Sequence, residues 1–175
     1  MKKIAVILAD GFEDLEALTP VDLFRRCENV LCTTVAVNNI NAVSSHGVTV
    51  MADTTVYNVN FNNFDAIILP GGMPGATNIA SCSLVMKAVE NFLNSGKLVG
   101  AICASPAVVL ANNGLIDGKS ATCYPAPAFI DMMKVCVYTA SDVEVCDNLI
   151  TANGPKSAFK FALELCKYLD INPKF

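Results

Sequence analysis

The chain has 175 residues, 53% of them hydrophobic and 16% charged. That composition suits one globular domain over 1–175 with a sizeable core and excludes an intrinsically disordered chain. Its net charge of -4, with Lys and Arg scattered, removes the electrostatic support that a nucleic-acid partner needs. The apolar start is cut short by Asp10, Glu13 and Asp14, and no other stretch approaches the ~18 apolar residues that cross a bilayer, so a soluble, cytoplasmic chain with no membrane partner is expected.

Apolar runs alternate with helical patterns. Residues 3–8 read as a buried strand, Gly11 as the turn after it, and 13–26 as a helix with Leu15, Leu18, Val21, Leu23 and Phe24 at helical spacing and Pro20 as an interior break or kink. Residues 33–37 form a second strand, Asn38, Asn39 and Asn41 a turn, and the segments around Val43 and 48–51 a hairpin off the main sheet. A buried strand over 64–69 ends in Pro70-Gly71-Gly72, a helix covers 83–93, and 98–102 is another buried strand. Beyond Cys103, residues 104–112 have the composition of a helix with Pro106 in its first turn. A brief strand over 118–122 follows, and Pro125 and Pro127 introduce a helix through Met133. Residues 143–146 and 149–151 read as a hairpin around Asp147-Asn148, and Asn153-Gly154-Pro155 precedes a final amphipathic helix over 156–168.

Strands alternating with helices imply an α/β sandwich of three layers around a mostly parallel sheet. In such folds the ligand site lies outside the carboxyl ends of the strands, at a topological switch point. The loop after Leu8, the loop after Leu69 and Cys103 all end at that edge, and this convergence marks an active site.

Cys103 sits at the strand-to-helix corner, the position of a nucleophile elbow with cysteine in place of serine, where the helix dipole favours thiolate. The plain alternative is a buried structural cysteine. The run Pro70-Gly71-Gly72-Met73-Pro74-Gly75 matches neither nucleotide-binding glycine pattern. It can instead aim the N–H of Gly72 at the reacting centre, which together with the N–H of Ala104 makes an oxyanion hole; a simple tight turn is the other reading. Glu13 and Asp14 suit helix capping, whereas Glu16, flanked by Leu15 and Ala17-Leu18, is a candidate to turn inward. A carboxyl buried against a thiolate stays protonated and donates a hydrogen bond to sulfur.

Eight cysteines stand at 27, 32, 82, 103, 123, 136, 146 and 166 with no C-x-x-C pair, and His46 is the one histidine, so no metal site and no cofactor are expected, and reduced thiols are favoured over disulfides. Cys123, near the expected pocket, is either a second redox thiol or, more simply, packing.

Three segments taken together carry a resemblance: Ala9-Asp10-Gly11-Phe12-Glu13-Asp14-Leu15-Glu16 with Pro20-Val21-Asp22, then Leu69-Pro70-Gly71-Gly72, then Ala101-Ile102-Cys103-Ala104. In order and over most of the chain they resemble the DJ-1/ThiJ/PfpI superfamily, nearest its DJ-1 branch. The resemblance implies a flavodoxin-like sandwich of the class I glutamine amidotransferase kind, and a homodimer. It makes Cys103 the reactive, readily oxidised cysteine, Glu16 the protonated glutamate that holds it, and Gly72 and Ala104 the backbone donors. It also makes Gly71, Tyr124, Arg26 and His46 candidates for the substrate pocket, Arg26 or His46 reaching it from the second subunit.

The activities implied are conversion of α-oxoaldehydes such as methylglyoxal to hydroxy acids without glutathione, repair of glycated adducts, or a non-catalytic role as redox sensor or chaperone in oxidative stress. Peptidase chemistry also occurs in the superfamily. Where relatives carry a histidine beside the cysteine, however, this chain has Cys123-Tyr124-Pro125, which removes the base a peptidase needs.

Overall fold

The computed structural model describes residues 1–175. In chain order it contains β1 (Lys2–Leu8), α1 (Asp14–Arg25), β2 (Val30–Ala36), the short β3 (Asn41–Val43), β4 (Thr49–Met51) and β5 (Thr54–Thr55), then β6 (Ala66–Leu69), α2 (Gly75–Ala80), α3 (Ser83–Ser95) and β7 (Leu98–Ile102). A π-helical turn over Pro106–Leu110 follows, then β8 (Ser120–Ala121), α4 (Pro127–Met132), β9 (Val137–Tyr138), β10 (Val143–Cys146), β11 (Leu149–Ala152) and α5 (Ala158–Tyr168).

Seven strands form one sheet in the order β10-β11-β7-β6-β1-β2-β5, parallel throughout except for the β10–β11 pair. From β1 the chain adds β2 on one side and β6 on the other, so β2-β1-β6-β7-β11 is the flavodoxin-like order with its switch point between β1 and β6. Every residue of β6, β7 and β11 is buried, as expected of strands covered on both faces. Register then sets the site: Leu69 pairs with Ala101 and Ile102 with Ala152, which brings the ends of β6, β7 and β11 level.

The helices supply the covering layers through stripes of period 3.6. In α3 the buried residues are Val85, Ala88, Val89 and Phe92, packed on β6 and β7, and Gly96 ends the helix in left-handed backbone at φ 75°. In α5 they are Ala158, Phe161, Ala162, Leu165 and Cys166, packed on β7 and β11, with α1 alongside.

Some expectations change. Helix α1 continues through Pro20, which is buried on the helix's core stripe, so there is no break. That stripe is Glu16, Ala17, Pro20, Val21, Leu23 and Phe24, whereas Leu15 is 56% exposed and Leu18 only half-buried. The β3–β4 hairpin stands off the main sheet as expected. The hairpin around Asp147-Asn148 also forms, but β11 joins the main sheet parallel to β7, and β8 pairs with β9 in a sheet of its own. Elements as short as α2, β5 and β9 show no periodicity in the sequence, because they barely complete one repeat. No helix is long and apolar enough to cross a membrane.

Candidate active site

Strand β7 ends at Ile102, and the next residue, Cys103, takes left-handed backbone at φ 64°, a conformation L-residues other than Asn and Asp seldom adopt. Two backbone bonds hold it there. Its N–H donates to Ala152 O at 2.8 Å and its carbonyl accepts from Tyr124 N–H at 2.9 Å. The helix expected over 104–112 takes the form of a π-helical stretch over Pro106–Leu110, with Pro106 first, followed by a 3-10 turn over Ala111–Asn113. Ser105, fully buried, donates its Oγ–H to Pro70 O at 2.6 Å and ties the elbow to the glycine loop.

Helix α1 delivers the second group. Glu13 caps it, its side chain accepting Glu16 N–H at 2.9 Å, which fixes the first turn. Glu16 lies one turn before Pro20 and two before Phe24, so it occupies the buried stripe and is 0% exposed. Its Oε2 accepts the N–H of Gly71 at 2.9 Å, while Oε1 is buried with no nitrogen or oxygen donor. Cys103 stands beside the carboxyl, since one Cβ added at Gly71 would touch both residues. A protonated carboxyl donating to sulfur would satisfy that buried group.

Gly71 must be glycine for steric reasons. A Cβ there would lie 2.6 Å from Glu16 Oε2, 2.7 Å from Cys103 Cβ and 2.9 Å from Ile102 O. Gly72 needs φ 84°, and its N–H and that of Ala104 act on the Cys103 thiol in the direction that favours the thiolate.

Burial dominates the electrostatics. It pushes the Glu16 carboxyl up to about 7, despite hydrogen bonds from Cys103 and Gly71 that pull the other way; the Glu13 charge adds to the rise. Burial, followed by the charge and hydrogen bond of Glu16, also pushes the Cys103 thiol up, and the N–H groups of Gly72 and Ala104 offset only part of that. The sequence-based expectation of a thiol ionised near neutrality by a helix dipole is therefore corrected. The residue is only 9% exposed, and desolvation outweighs two amide dipoles. Two unit charges in contact repel by ~4 kcal/mol even at an effective dielectric of about 20, so the pair loses one proton near neutrality and keeps the other.

A family profile for DJ-1/PfpI proteins matches residues 2–168. The chain belongs to the DJ-1/PfpI family. DJ-1 homolog B of Arabidopsis thaliana is 32% identical over 169 residues, 96% of this chain. The chain spans 38% of that relative's length and 43% of that of Arabidopsis DJ-1 homolog A. A Caenorhabditis elegans protein named glutathione-independent glyoxalase DJR-1.2 is 34% identical over 124 residues, covering 71% of this chain and 65% of its own. Among solved structures, oxidized Toxoplasma gondii DJ-1 superimposes with a TM-score of 0.89 at 35% identity, covering 97% of this chain and 91% of that one. The chain sits in the DJ-1-like branch of the family.

Within this DJ-1/PfpI chain, Cys103, Glu16, Gly71, Gly72 and Ala104 converge, whereas the other candidates are spread out. Tyr124 follows Cys123 and is joined to the elbow through its N–H; its ring lies 3.1 Å from where a Cβ on Gly154 would stand. With Asp142, Asn153, Gly154 and Lys156 it lines a cleft of about 350 Å³. His46 pairs through Nδ1 with Asp14 Oδ2 at 2.7 Å. Burial raises Asp14, but the hydrogen bonds from His46 and Ser44 prevail and hold it below the usual carboxylate range.

Glu13, Asp14 and His46 offer ligand atoms within 4.8 Å of one another, and the helix cap and the ion pair already account for that trio. Arg26 lies at the far end of α1, about 15 Å along the helix from Glu16. There it pairs with Asp22 at 2.9 Å and stacks on Phe175, so within one chain it does not join His46. Cys123 is fully buried, its Sγ–H donating to Tyr124 O at 3.4 Å, a packing position. Two contributors have no clear signature in sequence, Ser105 and the Gly71 N–H, although a serine placed directly after an elbow cysteine's neighbour is a polar residue in an otherwise apolar run.

Proposed function

We propose that this protein converts small α-oxoaldehydes of the methylglyoxal class to hydroxy acids, or repairs their adducts, through Cys103 and without a cofactor. The observation that carries the reading is the Glu16 carboxyl, fully buried at the thiol and held near neutrality by burial. A surface acid at a helix start needs no such placement, and a buried carboxyl is costly unless its proton is used.

The chemistry proceeds from the singly protonated pair. Cys103 sulfur attacks the aldehyde carbon, the carbonyl π pair moves to oxygen, and the proton held by Glu16 goes to that oxygen, giving a hemithioacetal. The N–H groups of Gly72 and Ala104, which serve the sulfur at rest, remain beside the oxygen that takes up its charge. Glu16, now a carboxylate, removes the proton from the former aldehyde carbon and returns it to the adjacent carbon, while the hemithioacetal hydroxyl proton passes to the neighbouring oxygen, leaving a 2-hydroxy thioester. Water cleaves that thioester, releasing the hydroxy acid and restoring the thiol. One water is consumed, and no electrons leave the substrate.

The C. elegans relative named a glutathione-independent glyoxalase supports this reading. The absence of histidine at Tyr124 tells against a peptidase, which needs an acid for its amine leaving group. Pairing of two chains, with Arg26 or His46 bordering the partner's pocket, belongs to the same proposal; a raised KM in an Arg26→Ala/His46→Ala double variant would support it, and unchanged kinetics would remove it. The decisive assay is lactate formation from methylglyoxal. Wild type is expected to produce it and Cys103→Ser to lose it. No turnover by wild type, combined with addition of two oxygens to Cys103 by mild peroxide, would replace the enzyme with a redox sensor.

A further inference from the structure

The cleft beside the elbow holds a cation that the chemistry above does not use. Both backbone bonds that fix Cys103 lead to its walls. Tyr124, whose N–H donates to Cys103 O at 2.9 Å, lines the cleft. Asn153 also lines it and directly follows Ala152, whose carbonyl accepts Cys103 N–H at 2.8 Å. Lys156 belongs to the same lining, on a 3-10 turn over Pro155–Ser157 that leads into α5. Ser157 pins that turn, its N–H donating to Gly154 O at 2.9 Å and its Oγ–H to Asn153 Oδ1 at 2.6 Å. None of the chain's ion pairs involves Lys156. Asp142, the acid in the lining, is already engaged: Lys160 Nζ donates to its Oδ2 and Asn153 Nδ2 to its Oδ1, both at 3.3 Å. The cleft therefore carries one unmatched positive charge. Helix stability does not explain it, since a cation just before α5 faces the positive end of the helix dipole. At about 350 Å³ the cleft falls within the roughly 300–1,000 Å³ range of small-molecule sites, and a three-carbon oxoaldehyde fills only part of it.

We infer, resting on the oxoaldehyde activity proposed above, that Lys156 determines specificity by binding a carboxylate at the far end of the substrate, so that α-oxoaldehydes with an acidic tail are preferred. The aldehyde carbon meets Cys103 at the elbow, and the tail runs along the cleft to the ammonium. A single negative charge suits the cleft better than a phosphate dianion, because one cation is unpaired and the Asp142 carboxylate stands in the same wall. The reaction keeps its balance. With 4,5-dioxopentanoate the aldehyde carbon is oxidised to a carboxylate and the neighbouring ketone is reduced to an alcohol. One water enters, and 2-hydroxyglutarate and a proton leave. Lys156 is exposed, so its pairing with the tail is screened by solvent and favours the acid by about two- to fivefold.

The test pairs an acid with its methyl ester in wild type, Lys156→Met and Lys156→Arg. In the first arm, kcat/KM is measured for 4,5-dioxopentanoate and its ester. Wild type and Lys156→Arg should favour the acid by about two- to fivefold, and Lys156→Met should lose the preference. The second arm needs no turnover. Levulinate, which carries the same tail on a ketone without the aldehyde, and its methyl ester are titrated as protectants of Cys103 against iodoacetamide. Levulinate should half-protect at a concentration about two- to fivefold below that of the ester, and Lys156→Met should abolish the difference while Lys156→Arg keeps it. Failure of wild type to turn over any oxoaldehyde would remove the activity proposed above, and the protection arm would still decide the role of Lys156. Equal protection by levulinate and its ester in wild type, or a preference for the acid that survives in Lys156→Met, would overturn the inference.

Discussion

Glu16 Oε2 accepts the backbone N–H of Gly71 at 2.9 Å, so an acid on the first turn of α1 is fastened to the loop that follows β6. The bond fixes which oxygen is left over: Oε1, buried and lacking any nitrogen or oxygen donor, is the one free to carry a proton to sulfur. Gly71 thus acts as a holder of the acid, a narrower role than the pocket position expected from sequence.

Gly71→Ala tests that holder. The added Cβ would stand 2.6 Å from Glu16 Oε2 and 2.7 Å from Cys103 Cβ, so one of the two must move. Overpacking of this kind costs roughly 1–3 kcal/mol, and displacement of the acid should lower kcat at least tenfold. Wild-type kcat and urea midpoint in this variant would show that the close approach is not needed.

Glu16 also makes stability depend on pH. Its carboxyl is near 7 when folded, against 4.5 as the ordinary value, so the folded chain holds the proton more tightly. Its contribution to stability is complete below pH 4.5, declines by about 3 kcal/mol as pH rises to 7, and is flat above that. Glu16→Gln cannot ionise there, so its stability relative to wild type should improve between pH 5 and pH 8 in urea titrations. Parallel pH profiles for the two proteins would mean that Glu16 ionises freely.

Ser105→Ala removes the donor to Pro70 O and leaves a buried carbonyl unpaired. A loss of about 1–3 kcal/mol is expected by chemical denaturation, with kcat reduced because the glycine loop is no longer tied to the elbow. No change in stability would show that water replaces the hydroxyl at no cost.

Tyr124→Phe keeps the ring against Gly154 and deletes the hydroxyl at the cleft. If that hydroxyl binds the substrate oxygen, kcat/KM falls about three- to tenfold while the denaturation midpoint stays put. Unaltered kcat/KM would take the hydroxyl out of substrate binding.

The fold was largely legible because buried parallel strands appear as continuous apolar runs and α3 and α5 as clean stripes, so the sheet edge and Cys103 could be placed from residues alone. Glu16 was legible only in part. Its neighbours Leu15 and Leu18 suggested burial, yet Leu15 faces solvent; the informative spacing was to Ala17, Pro20, Val21 and Phe24, interrupted for the eye by a proline. The state of the thiol was not legible, because helix position suggests a dipole while only three-dimensional packing shows the desolvation that opposes it.

The most direct measurement is the pH dependence of Cys103 alkylation, followed on its own peptide by mass spectrometry in wild type and Glu16→Gln. If Glu16 and Cys103 share one proton, the wild-type rate steps up with a midpoint near 7 and then levels, as the pair loses its first proton. In Glu16→Gln that step should vanish and reactivity should rise only at markedly higher pH. Superimposable curves for the two proteins, with no step in the neutral range, would contradict the shared proton.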